Sequence, residues 1–248
     1  MSDTVNAKAI YDFLKPRMGA RLKTWASICA HCGLCADTCH YYMADPKPEL
    51  VPSHKISFLL DLLKRKGQVD QDYLGNLYKR VYLECNMCRR CSLYCPFGIE
   101  IAFMIALLRA TLFSQGIAPE PLKSAIKNYQ AEGNQMAVTK EDWVDTIAWC
   151  IEEIEEEFPG IEIPMDKKGA KIMYTINARE AKFYPQDIQE VAKIFHVVKE
   201  DWTMPSEKGW DDTNLAMFVG DAATSKMIVE NTFKRAEELG VKQVAITE

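Results

Sequence analysis

Long apolar runs are missing from this chain. A membrane-spanning helix needs about 18 or more uninterrupted apolar residues, and the best candidate, Ile101 to Leu108, is bounded by Glu100 and Arg109. The opening Met1-Ser2-Asp3-Thr4 has no basic stretch leading into an apolar one, so no secretory signal is expected. Also absent are a Ser/His/Asp constellation, a phosphate-binding glycine loop and a dinucleotide fingerprint; Gly220-Asp221 alone is too little to indicate a nucleotide. The net charge is −5, and the basic residues form no long patch interleaved with aromatics. That argues against nucleic acid as a partner. The chain is read as cytoplasmic, with any membrane association coming through a partner protein.

What is present is enough for real cores: 248 residues, 48% hydrophobic and 26% charged, the profile of a globular protein. Nine cysteines in a chain without an export signal are unsuited to structural disulfides, because the cytosol keeps thiols reduced. Eight of them fall in two runs, Cys29-x2-Cys32-x2-Cys35-x3-Cys39 and Cys85-x2-Cys88-x2-Cys91-x3-Cys95, the second followed by Pro96. Short identical spacings repeated twice point to metal or cluster ligation. This is the run of bacterial ferredoxins, in which the fourth cysteine serves the other cluster. Three thiolates two residues apart can curl round one cubane, while the fourth points away and must find another iron. The expectation is therefore two [4Fe–4S] clusters, one on Cys29, Cys32, Cys35 and Cys95, the other on Cys85, Cys88, Cys91 and Cys39. A pair of zinc sites is the rival, but all-cysteine zinc sites usually use two separated CxxC knuckles.

Several neighbours of these runs invite a reading. His31 and His40 adjoin ligands, but the cysteine sets are complete without them, so they are expected as loop residues that tune solvent access or donate hydrogen bonds. Arg89 and Arg90 put two cations inside the second run, which would raise that cluster's potential. Cys150 lies in helical phase with Trp143, Ile147 and Ile154, the position of a packed residue. The acidic run Glu152–Glu157 would raise a nearby thiol's pKa and is otherwise a solvated helix face. The charge is also uneven: residues 1–128 are net basic and the remainder net acidic.

Along the chain, an amphipathic lead-in (Ile10, Phe13, Leu14) breaks at Pro16. The connector between the runs reads as helical. One helix follows Pro52 with Ser53 as its N-cap and Ile56, Leu59, Leu60 and Leu63 in phase; a second covers Gln71–Glu84. A third helix, Ile99–Phe113, stops before Gly116. Pro119 and Pro121 open another, and Thr139-x-x-Asp142 resembles a capping box for an acidic helix running to Phe158. From Lys171 the pattern changes to short apolar runs at Ile172–Ile176, Leu215–Val219 and Gln243–Thr247, alternating with helices at Pro185–Val198 and Ala222–Leu239. That order predicts a small parallel sheet.

The two cysteine runs, the helical connector and the α/β start together resemble the N-terminal part of the D-type iron–sulfur proteins of the heterodisulfide reductase family. This group includes the cytoplasmic K-type subunit of the sulfite-reductase-linked transmembrane complex. Specific to it are Tyr174-Thr175-Ile176-Asn177-Ala178, Trp210-Asp211-Asp212-Thr213-Asn214 and Phe218-Val219-Gly220-Asp221. The resemblance implies an α+β protein: an α-helical dicluster ferredoxin domain (1–130), an acidic helical linker (131–166), and the incomplete start of a small three-layer α/β domain of the CCG type (167–248). It also implies electron transfer within a heterodisulfide reductase-like complex of anaerobic sulfur or energy metabolism. The partners would be other redox subunits, among them a membrane haem or quinone-linked one. Relatives carry further cysteine motifs for a catalytic third centre. Here the sequence reaches Glu248 without them, so no catalytic residue is assigned and a relay lacking the disulfide-reducing centre is expected. An iron–sulfur subunit of a flavoenzyme of the glycolate oxidase type, or a non-catalytic ferredoxin-like adaptor, are the alternatives.

Overall fold

A computed structural model describes residues 6–247; Met1-Ser2-Asp3-Thr4, on which the reading of the N-terminus rests, lies outside them. The chain forms two compact units. One is built on the residues up to Glu120 together with Met217–Asp221, the other on Pro121–Ala216 and the stretch from Ala222 onward. None of the described helices is long and apolar enough to cross a membrane.

The first unit is helical. Asn6 caps α1 (Ala7–Leu14) by accepting a bond from the Ala9 N–H at 3.0 Å. Pro16 then tightens the chain into a 3₁₀ turn before α2 (Ala20–Ser27). Two short helices follow the first cysteines, α3 (Leu34–Asp37) and α4 (His40–Ala44). The connector supplies α5 (Pro52–Lys64) and α6 (Gln71–Tyr78). Ser53 is not the cap of α5. The helix begins one residue earlier with Pro52 at its first position, where the missing N–H costs nothing, and Ser53 is buried inside it. Nor does the α-helix starting at Gln71 reach Glu84. It widens into a π turn over Lys79–Leu83, closed by Glu84 N–H to Lys79 O at 3.0 Å. The Val81 carbonyl is taken by Arg109 Nε at 2.8 Å, and insertion of a side chain into the ladder is a recognised cause of such a turn.

After α7 (Arg90–Leu93) comes α8 (Ile101–Phe113), which is apolar all round and therefore central. It packs on α1, α5, α6 and α7. Ile105, Leu108 and Leu112 meet Ile10, Leu14, Leu59, Leu62 and Leu77 in the core, each side chain contributing about 1.5–3 kcal/mol by burial.

The second unit is α/β. The elements along this part of the chain are α9 (Glu120–Glu132), α10 (Lys140–Ile154), β1 (Ile172–Tyr174), α11 (Ala178–Phe183), α12 (Pro185–Val198), β2 (Trp202–Thr203), α13 (Leu215–Val219), α14 (Ala222–Leu239) and β3 (Gln243–Ala245). The three strands form a parallel sheet in the order β2-β1-β3, with Ile172 opposite both Trp202 and Gln243. Leu215–Val219, expected as the middle strand, is a helix. An apolar run of that length fits either state, and the sheet uses the two-residue Trp202–Thr203 in its place. The Thr139 cap holds: its hydroxyl accepts from Asp142 N–H at 3.1 Å. Residues 131–166, expected as a linker, contribute α10, whose Trp143, Ile147, Cys150 and Ile154 enter the second core beside Ile176, Trp202 and Met204. Trp143 stacks on Trp210 at 4.4 Å and donates its indole N–H to Pro205 O at 2.9 Å.

Candidate iron–sulfur site

The two cysteine runs are conformational copies. In the first, positive φ angles at His31 (53°) and Gly33 (87°) flank Cys32; in the second, Met87 (63°) and Arg89 (62°) flank Cys88. Hydrogen bonds then close both loops in the same way. Ala36 N–H reaches Gly33 O at 2.7 Å and Cys39 N–H reaches Ala36 O at 3.0 Å; Ser92 N–H reaches Arg89 O at 2.9 Å and Cys95 N–H reaches Ser92 O at 3.2 Å. Each turn opens a four-residue helix, α3 or α7, and these two helices are in contact. Only Gly33 adopts its angle without strain. The three non-glycine residues cost about 1–2 kcal/mol each in the left-handed region, a cost characteristic of functional loops.

The folded loops bring the thiols together across the runs. Cys29, Cys32 and Cys35 share one cavity with Cys95. Cys85, Cys88 and Cys91 share a second with Cys39. Cys32 and Cys88 are exposed, Cys35 is buried, and the rest are intermediate. Among the described residues no three His, Cys, Asp or Glu side chains converge as the ligands of a single metal ion would. Four cysteines lining one cavity suit a multi-iron cubane, which takes four thiolates. Alternating left- and right-handed backbone of this kind also makes the anion-binding concavities found at Fe–S centres. The residues present therefore fit a [4Fe–4S] group in each cavity.

Burial shapes the thiols. It pushes Cys91 up to about 12, with neighbouring Cys85 adding to the effect. Cys35 is raised for the same reason, while hydrogen bonding from Ser53 pulls the other way. Such thiols surrender their protons to a bound metal, not to water. Cys150 lines neither cavity. Fully buried, it donates to Pro185 O at 3.6 Å, and burial alone pushes it up to about 11. It is a packed residue, as its helical phase predicts.

The neighbouring residues sort themselves. His31 lines the first cavity and His40 the second. Arg89 and Arg90 line the second, but Arg89 is exposed and spends its guanidinium on Glu100 at 3.1 Å. Two cations that sequence reasoning passed over lie deeper. Lys55 is 1% exposed, lines the second cavity and donates to the Glu84 carbonyl. Arg109 is 3% exposed and donates to Val81 O at 2.8 Å, Cys85 O at 2.5 Å and Phe218 O at 2.6 Å. Their signals were legible: Lys55 shares the helical stripe of Leu59 and Leu62, and Arg109 is the sole charge in Ile101–Phe113.

Paired cysteine loops on a helical scaffold are an arrangement suited to iron–sulfur ligation. Residues 25–99 match the model of the 4Fe-4S dicluster domain. Over 88% of its length the chain is 26% identical to the Hdr-like menaquinol oxidoreductase iron-sulfur subunit 2 of Archaeoglobus fulgidus, and over 89% it is 25% identical to the Hdr-like menaquinol oxidoreductase iron-sulfur subunit of Archaeoglobus profundus. The chain spans 43% of the length of each of these relatives. No solved structure matches it. What the domain match and the names of these relatives share is iron–sulfur binding.

Proposed function

We propose that this chain carries electrons through two [4Fe–4S] clusters, as the D-type iron–sulfur part of an Hdr-like complex in anaerobic sulfur or energy metabolism. The observation that carries the reading is the pair of like-folded loops whose last cysteines are exchanged between cavities. Cys29, Cys32, Cys35 and Cys95 would hold one cluster, and Cys85, Cys88, Cys91 and Cys39 the other. When bound, each cluster supplies a site that accepts and releases one electron. The protein residues hold these sites rigidly against the core of α5 and α8, with the exposed Cys32 and Cys88 as the points nearest an external partner.

The partners we propose are other redox subunits, including a membrane protein that handles menaquinol or haem, with the chain itself on the cytoplasmic side. We propose that residues 167–248 open a CCG-type α/β domain. In support, β3 is an edge strand of its sheet. An apolar groove beside it, lined by Phe233, Val241, Val244 and Ile246, offers a surface for further polypeptide. Apart from the two ligand sets this stretch of chain holds only the packed Cys150, so it would relay electrons without itself reducing a disulfide. The test is purification of the native complex under anaerobic conditions. A haem-containing membrane partner, and cluster reduction driven by a menaquinol analogue through it, is the expected result. A flavoprotein partner with no quinol-linked reduction would overturn the assignment in favour of a flavoenzyme component.

A further inference from the structure

The two cavities differ in charge. Among the described residues the first is lined by no Lys, Arg, Asp or Glu, its ionisable groups being His31 and the thiols. Lys55, Arg89, Arg90 and Glu84 line the second. Glu84 is already engaged, with Arg80 at 2.5 Å and Lys79 at 3.6 Å, and Arg89 is paired with Glu100. Lys55 and Arg109 are different. Both are buried, both donate into the Glu84–Cys85 backbone, and neither has a carboxylate partner among the described residues. Their other close neighbours are neutral rings: Tyr41 lies 5.5 Å from the Lys55 nitrogen and Tyr82 lies 5.0 Å from the Arg109 guanidinium.

Burying a cation without a counter-charge is expensive. A cluster held by four thiolates is an anion, and it becomes more negative on reduction. We propose that Lys55 and Arg109 are positioning residues that find their counter-charge in the second cluster and make it the higher-potential member of the pair, so that electrons settle on the site of Cys39, Cys85, Cys88 and Cys91. This inference rests on the two-cluster reading above. The physical basis is Coulombic: fixed positive charge in a poorly solvated surrounding favours the reduced, more negative state. Arg109 supplies its charge as a planar, delocalised guanidinium with several donors. Its three backbone acceptors, Val81, Cys85 and Phe218, fix where that charge sits.

The test is an EPR-monitored redox titration of the cluster-loaded protein. Cys32→Ser and Cys88→Ser identify which signal belongs to which cavity. The expected result is two midpoint potentials, with the higher one belonging to the signal altered by Cys88→Ser. Lys55→Met should then lower that potential alone, by about tenfold in the reduced-to-oxidised ratio, which is about 59 mV for a one-electron couple. Arg109→Gln should do the same, and Arg109→Lys should retain most of the wild-type value. The proposal is overturned if the higher potential follows Cys32→Ser, or if Lys55→Met shifts both signals equally or neither. Should the charge variants fail to load clusters, the order of potentials in the two serine variants still decides the matter. Should Cys32→Ser and Cys88→Ser alter the same signal, the ligand assignment itself falls, a failure distinct from an unchanged potential.

Discussion

Replacing Gly220 by alanine should damage the first unit well beyond the effect of the same change at Gly33. Gly220 has φ of +94° and lies against the helix that carries Arg109. A Cβ there would sit 2.4 Å from Ala110 N and 2.6 Å from Ala110 Cα, backbone atoms held within α8. The segment from Met217 to Asp221 would have to move away. That breaks the bond from Arg109 Nη1 to Phe218 O at 2.6 Å and the bond from Tyr82 OH to Val219 O at 2.7 Å. A charged hydrogen bond is worth about 1.5–3 kcal/mol and a neutral one about 0.5–1.5; the left-handed angle adds about 1–2. Gly220→Ala should therefore cost about 3–6 kcal/mol. Gly33, also at positive φ, would meet nothing within 4 Å, so Gly33→Ala should cost only the strain, about 1–2 kcal/mol. Native-state hydrogen exchange of the α8 amides in cluster-loaded protein reports these free energies. Equal losses in the two variants, or a loss below about 1 kcal/mol for Gly220→Ala, would refute the reasoning.

Other outcomes follow from the second unit. Cys150 should resist alkylation in native protein, and Cys150→Ala should keep both clusters; rapid labelling would contradict its burial. Trp143→Ala should cost about 3–5 kcal/mol, as large core truncations do, and leave the cluster spectra unchanged; altered spectra would mean the helix has another role. Burial pushes Asp211 up to about 6, although Gln135 N–H (2.8 Å) and Thr213 N–H (3.1 Å) both donate to it. Its folded value lies above the unfolded one, so its stabilisation is full below about pH 4 and is lost as pH rises through 6. The difference is worth about 3 kcal/mol. Asp211→Asn cannot ionise and should flatten that stretch of the pH–stability profile; an unchanged slope would contradict the assignment.

Much of this was legible in the sequence because the signals are local. Cluster spacing is a property of a dozen residues, and helices such as Pro185–Val198 announce themselves by period and by proline at the first position. The misses have physical causes. Trp202–Thr203 is too short for alternation to register, and Leu215-Ala-Met-Phe-Val219 has no period to separate helix from strand. The π turn at Lys79–Leu83 depends on Arg109, which is nearly thirty residues away and contributes through its side chain. Gly220 has the look of a fragment of a nucleotide loop, yet its need for glycine comes from the approach of Ala110. The buried cations left a trace in the helical pattern, but what they face, such as Tyr41 beside Lys55, required tertiary information.

Crossed ligation by two clusters makes Cys95 a ligand of the cluster held by Cys29, Cys32 and Cys35, and Cys95→Ser probes that bond. Anaerobically prepared wild-type protein should contain about eight irons and eight sulfides per chain. EPR and Mössbauer spectra of Cys95→Ser should then alter the same cluster as Cys32→Ser and spare the one altered by Cys88→Ser. Stoichiometric zinc without visible absorbance, or a Cys95→Ser spectrum that changes together with Cys88→Ser, would rule out crossed ligation by two clusters.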